Sequence, residues 1–86
     1  MVTKVIFRAF KDGDIIALFP TEIWDRQGRV TCYQHIGQHG GACWDWVLTS
    51  TVPCSSETEY LELYKELRAV GYDNLRVKKK RRYISY

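Results

Sequence analysis

The alternation of apolar and polar positions along the chain predicts a hairpin, then looser strands, then one amphipathic helix. In residues 2–10 Val5, Phe7 and Ala9 fall on one face of an extended chain, and Lys4, Ile6, Arg8 and Phe10 on the other. Lys11-Asp12-Gly13-Asp14 follows, and its Asp-Gly pair suits a type I′ turn, whose two central residues both need positive φ. Ile15-Ile16-Ala17-Leu18-Phe19 is apolar on both faces, which predicts a central or covered strand. Pro20, lacking an N–H, is expected to end it.

Residues 21–29 read as a loop with an exposed Trp24 and a Gln27-Gly28 turn. Residues 30–36 alternate as a third strand, with Val30, Cys32, Gln34 and Ile36 against Thr31, Tyr33 and His35. The glycines at 37, 40 and 41 around His39 predict a flexible or tightly turned loop over residues 37–42. Residues 43–51 read as a short strand that projects Trp44 and Trp46 to the same side.

The helix has the fullest signature. Ser56-Glu57-Thr58-Glu59 forms a capping box, in which the Ser56 hydroxyl accepts from the Glu59 N–H and Glu59 reaches back. Tyr60, Leu63, Tyr64, Leu67 and Val70 then recur at helical spacing, and Gly71 supplies a left-handed stop. Leu75-Arg76-Val77 reads as a last strand. The expected fold class is therefore α+β: a mostly antiparallel sheet of four or five strands, in the order β-β-β-(β)-α-β, with one helix on one face. A single helix leaves the reverse face of the sheet wet, covered by the Trp-bearing loops, or free for binding.

Composition narrows the class. At 86 residues, 45% apolar and 14% aromatic, the chain can build a core and reads as one small domain over residues 1–86 with a basic end at 76–86. A disordered chain and a membrane span are both excluded, since the apolar share is high and the longest apolar run is residues 15–20. No signal-peptide core shows at the N-terminus, which predicts a cytoplasmic protein with no membrane partner. The net charge of +3 conceals a split: seven Lys/Arg face ten Asp/Glu in residues 1–75, whereas residues 76–86 carry six basic groups and no acid. An odd number of cysteines, three, rules out a complete set of internal disulfides and points to reduced thiols.

Several stretches resemble a group of small bacterial proteins without assigned chemistry. They are Phe7-Arg8, Lys11-Asp12-Gly13-Asp14-Ile15-Ile16-Ala17-Leu18-Phe19-Pro20, Tyr33-Gln34-His35-Ile36-Gly37-Gln38-His39-Gly40, and Glu59-Tyr60 through Glu66-Leu67 to Gly71-Tyr72. The resemblance implies a shared fold and an accessory role on mobile or phage-like elements. It transfers no catalytic residue and does not extend past Arg76.

Three groups of residues could carry function. The basic run Arg76, Lys78, Lys79, Lys80, Arg81 and Arg82 suits a polyanion such as nucleic acid. Six phosphate contacts would give a log-affinity slope of about −5 against log salt. Tyr83 and Tyr86 beside it could stack on bases, although lysines on an edge strand also serve simply to block aggregation. Trp24, Tyr33, Trp44 and Trp46 could form an aromatic patch for a protein partner on the uncovered sheet face, where the blander reading is core. Cys32, His35, His39 and Cys43, spaced C-x2-H-x3-H-x3-C, are all zinc-type ligands. A regular strand would turn Cys32 and His35 to opposite sides, so a metal there requires a bend. These residues leave two readings. The first is a non-enzymatic binding or accessory domain with no catalytic residue and no cofactor, using the basic segment. The alternative is a small metal- or thiol-dependent enzyme centred on Cys32, His35 and His39, with zinc as its cofactor or a thiol activated by histidine.

Overall fold

In the computed structural model, which describes residues 2–34 and 38–78, the elements run β1 (Thr3–Phe10), β2 (Ile15–Ile23), β3 (Val30–Gln34), β4 (Gln38–Ala42), α1 (Trp44–Ser50), β5 (Thr51–Pro53), α2 (Glu57–Ala69) and β6 (Leu75–Lys78). The described residues form an α+β fold, a six-stranded sheet with two helices. Strand order is β4-β3-β2-β1-β5, and β6 joins the same outer side of β1 as β5. The first half of β1 pairs in parallel with β6, from Thr3↔Leu75 to Ile6↔Lys78, and its second half antiparallel with β5, from Arg8↔Pro53 to Phe10↔Thr51.

The β1–β2 hairpin forms as its sequence predicts, but on a different turn. Gly13 N–H donates to Phe10 O, so Lys11 and Asp12 are the central residues and Gly13 follows at φ 96°. A type I turn closed by a left-handed glycine has the same sequence cue as a two-residue loop. The Asp12 carboxylate fixes it by accepting from Asp14 N–H at 3.0 Å. Pro20 does not end β2. Its ladder with β3 shifts register between Phe19 and Ile23, and its pairing with β1 reaches only Leu18↔Ile6, so the missing N–H falls at a bulge where no ladder needs it.

Two further expectations are corrected. Residues 38–42 are a strand, paired regularly with β3 from Gln34↔Gln38 to Val30↔Ala42, not a glycine loop. Residues 44–50 are helix α1, not a strand. Trp44 and Val47, three apart, both turn inward, and the parity of Trp44 and Trp46 is irrelevant on a helix.

The consequence is a sheet covered on both faces. Helix α2 sets Leu63 and Leu67 against Val5, Phe7, Ala17, Phe19 and Tyr33. On the reverse face α1 sets Trp44 and Val47 against Ile6, Ile16, Leu18, Val30, Cys32 and Ala42. The α+β class, the mostly antiparallel sheet and the packing of α2 on one face are as expected, whereas the reverse face, expected to be free for binding, is covered by a second helix, α1. Helix α2 stops at the predicted glycine: Gly71, at φ 122°, donates to Arg68 O, and Tyr72 N–H donates to Leu67 O, a Schellman stop. Its start differs from the predicted capping box, since Ser56 makes no side-chain cap bond. Glu59 N–H bonds the Ser56 backbone O at 3.2 Å, and the Glu59 carboxylate reaches Ser55 instead of Ser56.

Candidate nucleic-acid interface

The basic C-terminal segment enters the fold through β6. Thr3 N–H donates to Asn74 O at 3.0 Å, which starts the parallel ladder and fixes its register. Paired residues share a face, so Val77 follows Val5 toward α2, while Arg76 follows Lys4 to the reverse side and Lys78 follows Ile6. Lys4, Arg76 and Lys78 are all exposed. Lys4 and Arg76 are direct cross-strand neighbours, and like charges in that position repel. No described residue forms an ion pair with these three; the one salt bridge among described residues joins Arg29 to Asp25 at 3.3 Å. Lys79, Lys80, Arg81, Arg82, Tyr83 and Tyr86 lie outside the described residues.

The aromatic quartet does not share a surface. Tyr33, 1% exposed, is buried beneath α2, and its hydroxyl donates to Glu66 Oε2 at 2.6 Å. Trp44, 8% exposed, is buried on the opposite face under α1. Trp24 at 48% and Trp46 at 55% are exposed. Trp46 leans on Phe10, with ring centroids 5.9 Å apart, and Trp24 lies over Gly41. Strand alternation and the helical turn at 44–50 separate the four.

The cysteine–histidine set is separated in the same way. His35 lies outside the described residues. His39 is paired with Tyr33 across the β3–β4 ladder and shares its face, where the two rings meet edge-on at 4.8 Å. Cys32 is one residue along and faces the opposite core, packed toward Gly40. Cys43 is exposed at the start of α1. Cys32 and His39 thus stand on opposite sides of a sheet, so the four residues cannot converge on one ion. No cluster of three or more potential ligands occurs among the described residues. Of the enzyme reading, the Cys32–His39 pairing meets the same obstacle, because His39 cannot take a proton from Cys32 through the sheet, and His35 lies outside the described residues. Burial also pushes the Cys32 thiol up, with a smaller opposing effect from the Gly40 N–H, and this disfavours the thiolate.

Two polar assemblies connect residues too far apart in sequence to be paired by reading it. The first is a string on the α2 side. His39 Nε2 shares a 2.8 Å hydrogen bond with the Tyr72 hydroxyl, and Tyr72 stacks on Phe19 at 5.0 Å. Burial first, and the Glu22 carboxylate second, push the Tyr72 phenol up and keep it protonated. The second is Arg8, buried on the reverse face and bonded to Thr51. The only advance sign of either was Arg8 itself, a charged residue set between the apolar Val5-Ile6-Phe7 and Ala9-Phe10. No helix among the described residues is long and apolar enough to cross a membrane.

Neither a family model, nor a curated protein, nor a solved structure matches this chain.

Proposed function

We propose that the chain is a small non-enzymatic binding domain whose contact element is the basic margin formed by β1 and β6, and that its partner is a polyanion of the nucleic-acid class. One observation carries the reading: Lys4 and Arg76 stand side by side in register, with Lys78 two residues on, all exposed and none balanced by a described acid. Such a row repels itself in isolation, and a phosphate backbone relieves that repulsion while releasing its own counterions. The run Lys79-Lys80-Arg81-Arg82 follows β6 in sequence and carries four further positive charges. The acids lie mainly elsewhere, with four of the ten on α2, so one margin is basic while the body is acidic.

The test is binding of a labelled random-sequence single-stranded oligonucleotide across a range of salt. Three contacts from Lys4, Arg76 and Lys78 give a log-affinity slope of about −2 against log salt, and tail contacts steepen it. The double variant Lys4→Glu, Arg76→Glu should weaken binding at least about tenfold and flatten the slope. Undiminished binding in that variant, with the fold intact by circular dichroism, rejects the reading.

A further inference from the structure

Strand β4 forms one margin of the sheet, and among the described residues nothing pairs with its outer edge. The two margins are built differently. The opposite one is protected in the usual ways: β5 is three residues long and ends in Pro53, and β6 is four residues long and carries Arg76 and Lys78. Strand β4 has the sequence Gln38-His39-Gly40-Gly41-Ala42, with no proline and no Lys, Arg, Asp or Glu. Its register against β3 is unbroken over all five pairs, so no bulge twists the edge away. An edge of this kind invites a further strand.

We infer that the outer edge of β4 pairs with β4 of a second copy of this chain, antiparallel about a two-fold axis at Gly40. The side chains are complementary under that operation. His39 comes to lie opposite Gly41 of the other copy, and Gly40 opposite Gly40. On the α2 side, where His39 sits, the ring of one copy therefore comes opposite Gly41 of the second copy, over which that copy's half-exposed Trp24 indole lies in the place a side chain would take. Cross-strand neighbours stand about 5 Å apart, close enough for the imidazole to touch the indole twice by symmetry. On the reverse side the glycine pair leaves the approach unobstructed. The strand holds no Lys, Arg, Asp or Glu, so self-pairing brings no such charges together, whereas two copies of β6 would repel. A five-residue edge buries less than a standard interface, so the dimer is weak and depends on concentration.

The test uses the 86-residue chain in sedimentation equilibrium over about a hundredfold range of concentration, up to about 1 mM. The mean mass should rise from the monomer value of 10.1 kDa toward about twice that. Gly40→Lys and Gly40→Glu are the informative variants. A Cβ there meets only Cys32 Sγ, at 3.9 Å, and the backbone is not in the left-handed region, so both should fold and circular dichroism should verify it. Each alone sets like charges opposite one another and should remain monomeric, whereas an equal mixture should associate through the Lys–Glu pair. The proposal is overturned by wild-type protein that stays at monomer mass at the highest concentration. It is equally overturned by a folded Gly40→Lys variant that associates like wild type, or by a mixture no more associated than its components.

Discussion

Arg8 donates twice to Thr51, from Nε to the side-chain Oγ1 at 2.6 Å and from Nη2 to the backbone O at 2.8 Å. Thr51 is the residue that closes α1, and its own hydroxyl donates onward to Val47 O at 2.6 Å. Helix α1 has no basic residue in its last turn, so the guanidinium from the sheet supplies the positive group that its free carbonyls favour. One side chain thereby joins β1 to the helix that covers the reverse face. Arg8→Ala should lower unfolding stability by about 3 kcal/mol, because two buried bonds to a charged donor are lost and the Thr51 acceptors are stranded. Arg8→Lys should recover less than about half, since an ammonium cannot match the planar fork at both oxygens. Denaturant midpoints at constant m-value measure both, and a full rescue by lysine would refute the bidentate account.

The contrast between Arg8 and the rest of β1 also shows what was legible in the sequence. Period-two apolar patterns delivered β1, β2 and β3, and Ser56, the Leu63/Leu67 spacing and Gly71 delivered α2, because each depends on residues close in the chain. Residues 44–50 were misread because Trp44 and Trp46 satisfy strand parity while Trp44 and Val47 satisfy helical spacing, and a seven-residue segment is too short to decide between them. Residues 38–42 were misread because glycine usually signals a turn. Here Gly40 and Gly41 serve packing in an extended strand instead. The metal and aromatic groupings failed for one reason: sequence proximity says nothing about which side of a sheet a residue faces once strands and a helix intervene. The basic margin was half legible. Arg76 and Lys78 were visible in the sequence, but Lys4 joins them only through the parallel pairing of β6 with β1.

Gly40 and Gly41 should respond oppositely to an added methyl group. A Cβ on Gly41 would lie 2.7 Å from Trp24 Cγ, inside any tolerable contact, whereas on Gly40 it meets only Cys32 Sγ at 3.9 Å. Gly41→Ala must push the indole off β4, costing about 1–3 kcal/mol as overpacking does. Trp24 emission should shift red as the ring enters solvent. Gly40→Ala should stay within about 0.5 kcal/mol of the parent. Equal effects from the two substitutions would contradict the placement of Trp24.

Glu59 links the start of α2 to the chain before it, accepting from both the backbone N–H and the hydroxyl of Ser55. The Ser55 hydroxyl, then its N–H, hold the Glu59 carboxyl below its ordinary 4.5, against a smaller opposing effect of desolvation. The folded-state pKa is therefore lower than the unfolded one, and the stabilisation is present above pH 4.5 and lost as pH falls through the folded value. Glu59→Gln should leave a shallower acid limb in a plot of melting temperature against pH, with the difference from the parent vanishing at low pH. An acid limb identical in both proteins would remove this role for Glu59.

Cys54 sits at the junction of β5 and α2, packed against the cluster beneath α2. Burial, with the Glu59 carboxylate adding to it and Arg8 opposing, pushes its thiol from an ordinary 9.0 up to about 11. Only the thiolate attacks a disulfide reagent; at pH 8 the Cys54 thiolate is about 100-fold scarcer than that of an unperturbed thiol but more nucleophilic, so Cys54 should react about tenfold more slowly, before any steric hindrance. Cys43, exposed at the start of α1, should react first, and buried Cys32 should join Cys54 in the slow phase. Titration of native protein should thus show one fast thiol, against three in guanidinium. Glu59→Gln removes the second cause and should speed the Cys54 reaction. The raised folded value also has a stability consequence of defined sign: the unfolded chain loses this proton first, so stability is intact below pH 9 and declines as pH rises toward 11. Cys54→Ala should flatten that alkaline decline, and a Cys43→Ser protein that still shows a fast thiol at pH 8 would place a reactive thiolate where the fold disfavours one.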